Sequence, residues 1–415
     1  MILYCIFLWL FRLGIGINAL YNHKTKLWIA GRRNWRQQIA DKLGANEKRI
    51  WIHCSSLGEF EQGRPLIESV KKQYPDYKIV LTFFSPSGYE HCKNYTTADY
   101  IFYLPMDGKS AAKDFITLIN PSLVLFVKYE FWHYYLSEVN MRKIPLLLVS
   151  SAFRPSQAFF KWYGGFFRNM LGFFTQIHVQ DNRSAQLLAG IGLKENIYIT
   201  GDTRYDRVNE IATKLRSIPE IEEYKANNKI VIAGSTWAAD EQILCNFLPS
   251  LPIGWKMIIA PHEIDKTHID QLVALYGNDA VLYSSFVVNN NKDAKVLIID
   301  NIGMLSSLYA YGNVAFVGGG FLKGGIHNTL EPAIFGLPIV FGPVYQKFTE
   351  AVSMVAEGVA FPANTETEAV TILSSLVNDE LRRDVIHQKL KHFMISNTGA
   401  ADRILSNIEQ KGWLI

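Results

Sequence analysis

Short runs rich in Val, Ile, Leu and Phe recur along nearly the whole chain, separated by polar or amphipathic stretches of helix length. In the first half they cover 49–56, 78–84, 100–105, 123–129, 145–151, 176–180 and 197–202. In the second half they cover 229–236, 256–262, 280–285, 296–300, 314–320, 338–343 and 358–363. Their apolar residues are consecutive rather than alternating, so both faces of each predicted strand must be covered. Strands alternating with helices and buried on both faces make parallel sheets clad in helices, which is the α/β class. A chain of 415 residues exceeds one ordinary core. The two series therefore predict two doubly wound, Rossmann-like domains facing a central cleft. The expected division is a first domain at 23–204, a polar, strand-free linker at 205–228 and a second domain at 229–385. Residues 386–415 read as C-terminal helices able to return to the first domain.

Residues with chemistry fall where these runs end. Ser55, Ser56, Gly58 and Glu59 follow the first run, and Ser85, Ser87 and Gly88 the second. Lys128 and Glu130 follow the fourth, and Ser150, Ser151 and Arg154 the fifth. In the second half Gly234, Ser235 and Thr236 close one run, Pro261 and His262 another, and a glycine cluster a third. Open parallel sheets bind ligands outside the carboxyl ends of their strands, so one shared site is expected between the domains.

The richest segment is 314–336, VAFVGGGFLKGGIHNTLEPAIFG. Glycines let backbone amides approach an anion, and a helix start offers unpaired N–H groups. A short helix opening at Thr329 would carry Glu331 in its first turn, where a carboxylate can accept from sugar hydroxyls. The pattern fits a nucleotide-sugar site, and equally a tight strand-to-helix turn. Glu59 is similarly double: a helix cap, or a general base beside a phosphate-binding half. Ser235 and Thr236 can donate to a phosphate or cap a helix.

The N-terminus, MILYCIFLWLFRLGIGINAL, is apolar apart from Arg12, Asn18 and a few glycines, and Lys24, Lys26, Arg32, Arg33 and Arg36 follow it. It lacks a positive leading region and a cleavage site, so it does not read as a secretory signal. The basic C-terminal flank predicts a membrane anchor over 1–22 with the rest of the chain in the cytoplasm. Arg12 would cost roughly 2.5–3.5 kcal/mol in mid-bilayer, which leaves lying in the interface as an alternative to spanning, and a buried first helix as another. A net charge of +4 is too small and dispersed for a nucleic-acid partner. Cys5, Cys54, Cys92 and Cys245 share no metal-ligand spacing, and no disulfide framework is expected. Residues 158–174 hold eight aromatics with Lys161 and Arg168, either a greasy, basic-edged surface or a buried Phe-rich helix. His53, His133 and His178 sit in apolar contexts and read as packing residues.

SSLGE (55–59), TFFSPSGYE (82–90), YEFW (129–132), SSAFRP (150–155), GDTRYDR (201–207), AGSTWAADE (233–241), APH (260–262) and FVGGGFLKGGIHNTLEP (316–332) occur in one order. Together they resemble the 3-deoxy-D-manno-octulosonic acid (Kdo) transferases of lipopolysaccharide synthesis, over about residues 1–410. The most specific element comprises Gly324, Gly325, His327, Asn328, Leu330, Glu331 and Pro332. The resemblance implies a GT-B fold, a CMP-Kdo donor, an acylated and phosphorylated disaccharide lipid acceptor, and a site on the cytoplasmic face of the bacterial inner membrane. It implies Glu59 as catalytic base. It maps nucleotide contacts onto Pro261, His262, Gly303, Met304, Leu305, Asn328, Thr329, Leu330 and Glu331, beside Ser235 and Thr236. Two positions depart from the family: many members have arginine at His262, and a glutamate where Lys128 stands. A charge at His262 would depend on pH, and Glu130 is the weaker catalytic candidate. No His/Cys cluster or DxD-like pair sits at the strand ends, so neither cofactor nor catalytic metal is expected. Other readings are a UDP-sugar transferase or epimerase, and a non-catalytic membrane-bound sugar-nucleotide sensor.

Overall fold

The computed structural model describes residues 1–415 apart from Arg216, Asn290, Asn291 and Ile415. The chain folds as two units: Met1–Arg207 with Asn397–Ile415, and Val208–Ser396. Each contains one seven-stranded parallel sheet.

In the first unit the strands are β1 (Arg49–Cys54), β2 (Lys78–Phe83), β3 (Tyr100–Tyr103), β4 (Leu123–Val127), β5 (Leu146–Ser151), β6 (Gln176–Val179) and β7 (Ile197–Ile199). Their order is β3-β2-β1-β4-β5-β6-β7. Successive side chains leave a strand on opposite faces. Ile50, Ile52, Leu123, Leu125, Leu147 and Val149 accordingly build one core. Trp51, Val124, Phe126, Leu146 and Leu148 build the other. This two-sided burial is why the runs are apolar throughout. Connections run outward one way from β1 and then return to its other side at β4, so the β1/β4 boundary is the topological switch point.

The helix Ala400–Gln410 completes this unit. Its Ile404, Leu405 and Ile408 join the core that holds Ile50 and Ile52. Asp206 accepts from the backbone N–H groups of Gly399 and Ala401, which fixes the start of that helix. At the other end of the chain, helix Ile2–Asn18 has only Leu8 fully buried. Its Leu3 is 82% exposed and Trp9 64%. At 1.5 Å per residue it spans roughly 25 Å, less than the ~30 Å hydrocarbon layer. No helix among the described residues is long and apolar enough to cross a membrane.

In the second unit the strands are β8 (Lys229–Thr236), β9 (Trp255–Pro261), β10 (Ala280–Leu282), β11 (Val296–Ile298), β12 (Val314–Val317), β13 (Ile339–Phe341) and β14 (Ala360–Pro362). They are ordered β10-β11-β9-β8-β12-β13-β14, which places the switch point between β8 and β12. Residues 208–228, expected as a linker, belong to this unit. Ile221 and Tyr224 of helix Pro219–Lys225 are fully buried in the core with Ile230 and Ile232. The polar composition of that stretch masked these two anchors.

Candidate functional site

Three strand ends carry non-glycine residues in the left-handed region: Lys128 after β4 (φ 67°), Ser150 in β5 (φ 53°) and Ser235 in β8 (φ 52°). Such residues cost energy and persist where surrounding structure dictates them, commonly at ligand sites. All three lie at carboxyl ends, as do the residues expected from the sequence.

In the first unit, Glu59 sits in the first turn of helix Leu57–Gln73, directly after β1, and is half-buried. It forms a capping box with Ser56, accepting from that residue's backbone N–H at 3.0 Å and from its hydroxyl. Both bonds fall on Oε2, and Oε1 has no protein partner among the described residues. Cap and proton acceptor are therefore compatible: one oxygen holds the helix and the other is open. Gly58 beside it is exposed.

Glu130 lies across the switch point, after β4. Its Oε2 is 3.6 Å from Nε2 of His53, which is fully buried in β1. Burial pushes the Glu130 carboxyl up, but the facing His53 imidazole, Ser55 and Trp132 outweigh it and hold the group below the ordinary range. His53 Nδ1 lies 2.9 Å from Thr82 Oγ1, which also accepts from Trp51 Nε1 at 2.8 Å. His53 Nε2 faces the carboxylate without a hydrogen-bond partner among the described residues. His53 is thus part of a Thr82–His53–Glu130 chain; its apolar neighbours concealed this in the sequence.

The remaining first-unit candidates divide. Ser55 lies beside Glu130 and anchors the neighbouring loop, its carbonyl accepting from the backbone of Phe84 (3.1 Å) and Ser85 (2.7 Å). Ser85 caps helix Pro86–Cys92 through the Ser87 backbone N–H at 3.3 Å, and Gly88 is buried in that helix. Arg154 is exposed, its backbone N–H donating to Gln157 at 2.9 Å. Tyr129 to Trp132 open onto an aromatic cavity of about 680 Å³ together with Tyr4 and Phe7 of the first helix and Phe166 and Phe167. The 158–174 segment is neither wholly core nor wholly surface. Phe159, Met170 and Phe174 are buried, whereas Trp162 is 93% exposed.

In the second unit, a cavity of about 270 Å³ is lined by Ser235, Gly303, Leu305, Ser306, Tyr309, His327, Asn328 and Glu331. The helix at its edge, Leu330–Ile334, has only five residues, so its dipole is small. Asn328 defines that edge: its Oδ1 accepts from the Leu330 backbone at 3.0 Å, and its Nδ2 donates to Glu331 Oε1 at 3.0 Å. Thr329 and Leu330 are fully buried and do not line the cavity, and the Thr329 hydroxyl has no partner among the described residues. Thr236 is also buried and donates to Glu241 Oε1 at 3.0 Å, which commits its hydroxyl to the fold. Met304 precedes the helix Leu305–Leu308 and does not line the cavity.

Pro261 is buried, and His262, exposed, packs against two rings that are themselves neighbours. The Trp237 centroid lies 4.7 Å from it and that of His327 4.5 Å. Trp237 Nε1 donates to His327 Nε2 at 3.1 Å, so His327 accepts there and is neutral. Burial, then His262, hold the His327 imidazole below its ordinary value.

The glycine turn is pinned from behind by Asp240, whose Oδ2 accepts from Gly319 N–H at 2.9 Å and Trp237 N–H at 3.0 Å. Burial pushes its carboxyl up to about 6, against those two bonds. A carboxyl raised in the folded state binds its proton more tightly there than in the unfolded chain. Its contribution to stability is therefore present at low pH and lost as pH rises toward and through about 6. Asp240→Asn keeps an acceptor for both amides and removes the ionisation. Thermal melts from pH 4.5 to 7.5 are expected to fall less with pH in the variant than in the wild type; parallel curves would refute the assignment.

Comparison with known proteins follows the same division. The sequence model of the family described as 3-deoxy-D-manno-octulosonic-acid transferase (kdotransferase) matches residues 32–207. A 3-deoxy-D-manno-octulosonic acid transferase of Haemophilus influenzae is 27% identical over 393 residues, 89% of this chain and 90% of that protein. One from Aquifex aeolicus is 28% identical over 337 residues, 79% of this chain and 86% of that protein. Among solved structures, UDP-GlcNAc 2-epimerase from Neisseria meningitidis superposes with a TM-score of 0.64 at 15% identity, covering 87% of this chain and 100% of that one. That likeness is one of fold alone, a pair of doubly wound α/β units. The matched first unit, together with relatives aligned along most of the chain, supports placing the chain with the Kdo transferases.

Proposed function

We propose that the protein is an inverting glycosyltransferase that moves Kdo from CMP-Kdo to an acylated, phosphorylated disaccharide lipid, a lipid A precursor, and releases CMP. The observation that carries this reading is the cavity in the second unit, where His327, Asn328 and Glu331 of the family's most specific element meet Ser235 and Gly303. In the proposal the cavity takes the cytidine nucleotide, with Glu331, oriented by Asn328, accepting from the ribose. Glu59 Oε1 removes the proton from the acceptor hydroxyl, whose oxygen forms a bond to the anomeric carbon. The bond from that carbon to the CMP phosphate oxygen breaks on the opposite side, and CMP leaves with the electron pair. No step is assigned to a metal or cofactor.

The aromatic cavity beside Glu130 suits the acyl chains of such an acceptor, and the exposed apolar side chains of helix Ile2–Asn18 suit a membrane interface. The proposed location is the cytoplasmic face of the bacterial inner membrane, with that helix lying in the interface.

The donor class is testable by thermal shift: CMP is expected to raise the melting temperature and UDP to leave it unchanged. Stabilisation by UDP alone would favour the epimerase or UDP-sugar reading. Incubation with CMP-Kdo and the tetraacylated disaccharide bisphosphate, followed by mass measurement, then reads transfer directly.

A further inference from the structure

A second cavity of the first unit, about 660 Å³, lies where the first helix, the segment 28–36 and the start of helix Lys109–Ile119 meet. Five cations line it, Arg12, Arg32, Arg33, Arg36 and Lys109, and no carboxylate does. Arg36 pairs with Asp114 at 2.7 Å. Arg33 and Lys109 are exposed, and their side chains have no ion-pair or hydrogen-bond partner among the described residues. Arg32 is the informative one. Its guanidinium donates to the carbonyl oxygens of Leu104 (2.8 Å), Trp28 (3.0 Å) and Phe84 (2.7 Å), and it lies 3.8 Å from the Trp28 ring centroid. Carbonyls and a π-face satisfy its donors and leave its charge uncompensated, which is costly for a group so enclosed. Trp28 Nε1, another donor on this wall, is buried without an acceptor. Five cations with a single carboxylate partner, Asp114, and a buried indole N–H with no acceptor define a site for an anion.

Two features select the kind of anion. Arg12 projects from a helix whose neighbouring Leu10 and Leu13 are about half exposed, at 52% and 50%. Trp28 and Trp35 on the cavity wall have the amphipathic character found at headgroup depth. We propose that this cavity binds the phosphodiester headgroup of an anionic glycerophospholipid, separately from the acceptor, when the first helix lies in the membrane interface. It rests on the proposed membrane association but not on Kdo transfer. Bound there, the phosphate compensates Arg32 and recruits Arg33 and Lys109, holding the first helix at a fixed depth.

The test is flotation of the full chain with phosphatidylcholine vesicles carrying either phosphatidylglycerol or oleate, matched in surface charge. Diffuse attraction treats the two alike; a headgroup site does not. The wild type is expected to bind phosphatidylglycerol vesicles at least about tenfold more tightly than oleate vesicles. An R33Q/K109Q double variant should lose that preference together with roughly 30-fold in affinity, at about fivefold per basic residue. A K24Q/K26Q control, outside the cavity, should keep the preference. Equal binding to the two vesicles by the wild type, or equal loss of the preference in both variants, would overturn the proposal. So would abolition of the preference by a few millimolar inorganic phosphate, which would make this a free-phosphate site. Kdo transfer to acceptor in detergent micelles should be unchanged in R33Q/K109Q; a parallel fall would reassign the cavity to the acceptor's phosphates.

Discussion

Glu59→Gln is expected to lower Kdo transfer by at least about 10²-fold while CMP still raises the melting temperature as in the wild type. The design of the capping box makes this a clean substitution. A glutamine amide oxygen can still accept from the Ser56 backbone N–H, so helix Leu57–Gln73 keeps its cap and stability changes by less than about 1 kcal/mol. The proton-accepting oxygen is what disappears. Glu59→Ala removes both functions and adds a cap loss of about 1 kcal/mol. If Glu59→Gln turned over within a few-fold of the wild type, Glu59 would be a structural residue only, and Glu130 with its His53 partner would become the leading base.

The second large effect is expected at the glycine turn. A Cβ on Gly318 would lie 2.2 Å from the Ser235 carbonyl oxygen, and one on Gly320 would lie 2.4 Å from the Gly342 backbone nitrogen. These are backbone atoms of adjoining strand ends and cannot rotate away. Gly318→Ala is therefore expected to cost roughly 3 kcal/mol, read either as a lower melting temperature or as about 100-fold weaker CMP binding. Gly324→Ala is the matched control, because nothing lies within 4 Å of its added carbon. It should bind CMP like the wild type. A tolerant Gly318→Ala would show that the turn is not held as tightly as its packing implies.

These two cases illustrate what the sequence made legible. Each apolar run from 49 to 363 became one strand, because burial on both sheet faces favours continuous hydrophobicity; the equally apolar 2–18 is instead an exposed helix. The strand-end polar residues likewise fell at carboxyl ends, those of β1, β4, β8 and β12 at the two switch points. Less legible was the division of labour among neighbours. Ser235 and Thr236 are adjacent and chemically alike, yet the left-handed turn at Ser235 directs one to the cavity and the other to Glu241. Asp240 and Trp237 carried no reading of their own in the sequence, because their role behind the glycine turn depends on contacts 79 and 90 residues away along the chain. His53 was hidden by local context in the same way. Helix Pro219–Lys225 shows the opposite failure: two buried side chains were enough to bind a polar stretch to a core.

The Ala400–Gln410 helix also sets an order of assembly. The first unit's core is closed by Ile404, Leu405 and Ile408, which are synthesised after all of Val208–Ser396. On the ribosome the second unit can therefore reach its native state while the first still lacks a wall. Through that interval the apolar first helix is already available to lipid. A chain cut between 397 and 403 would leave an intact second unit attached to a first unit that cannot close its core, a product expected to be inactive.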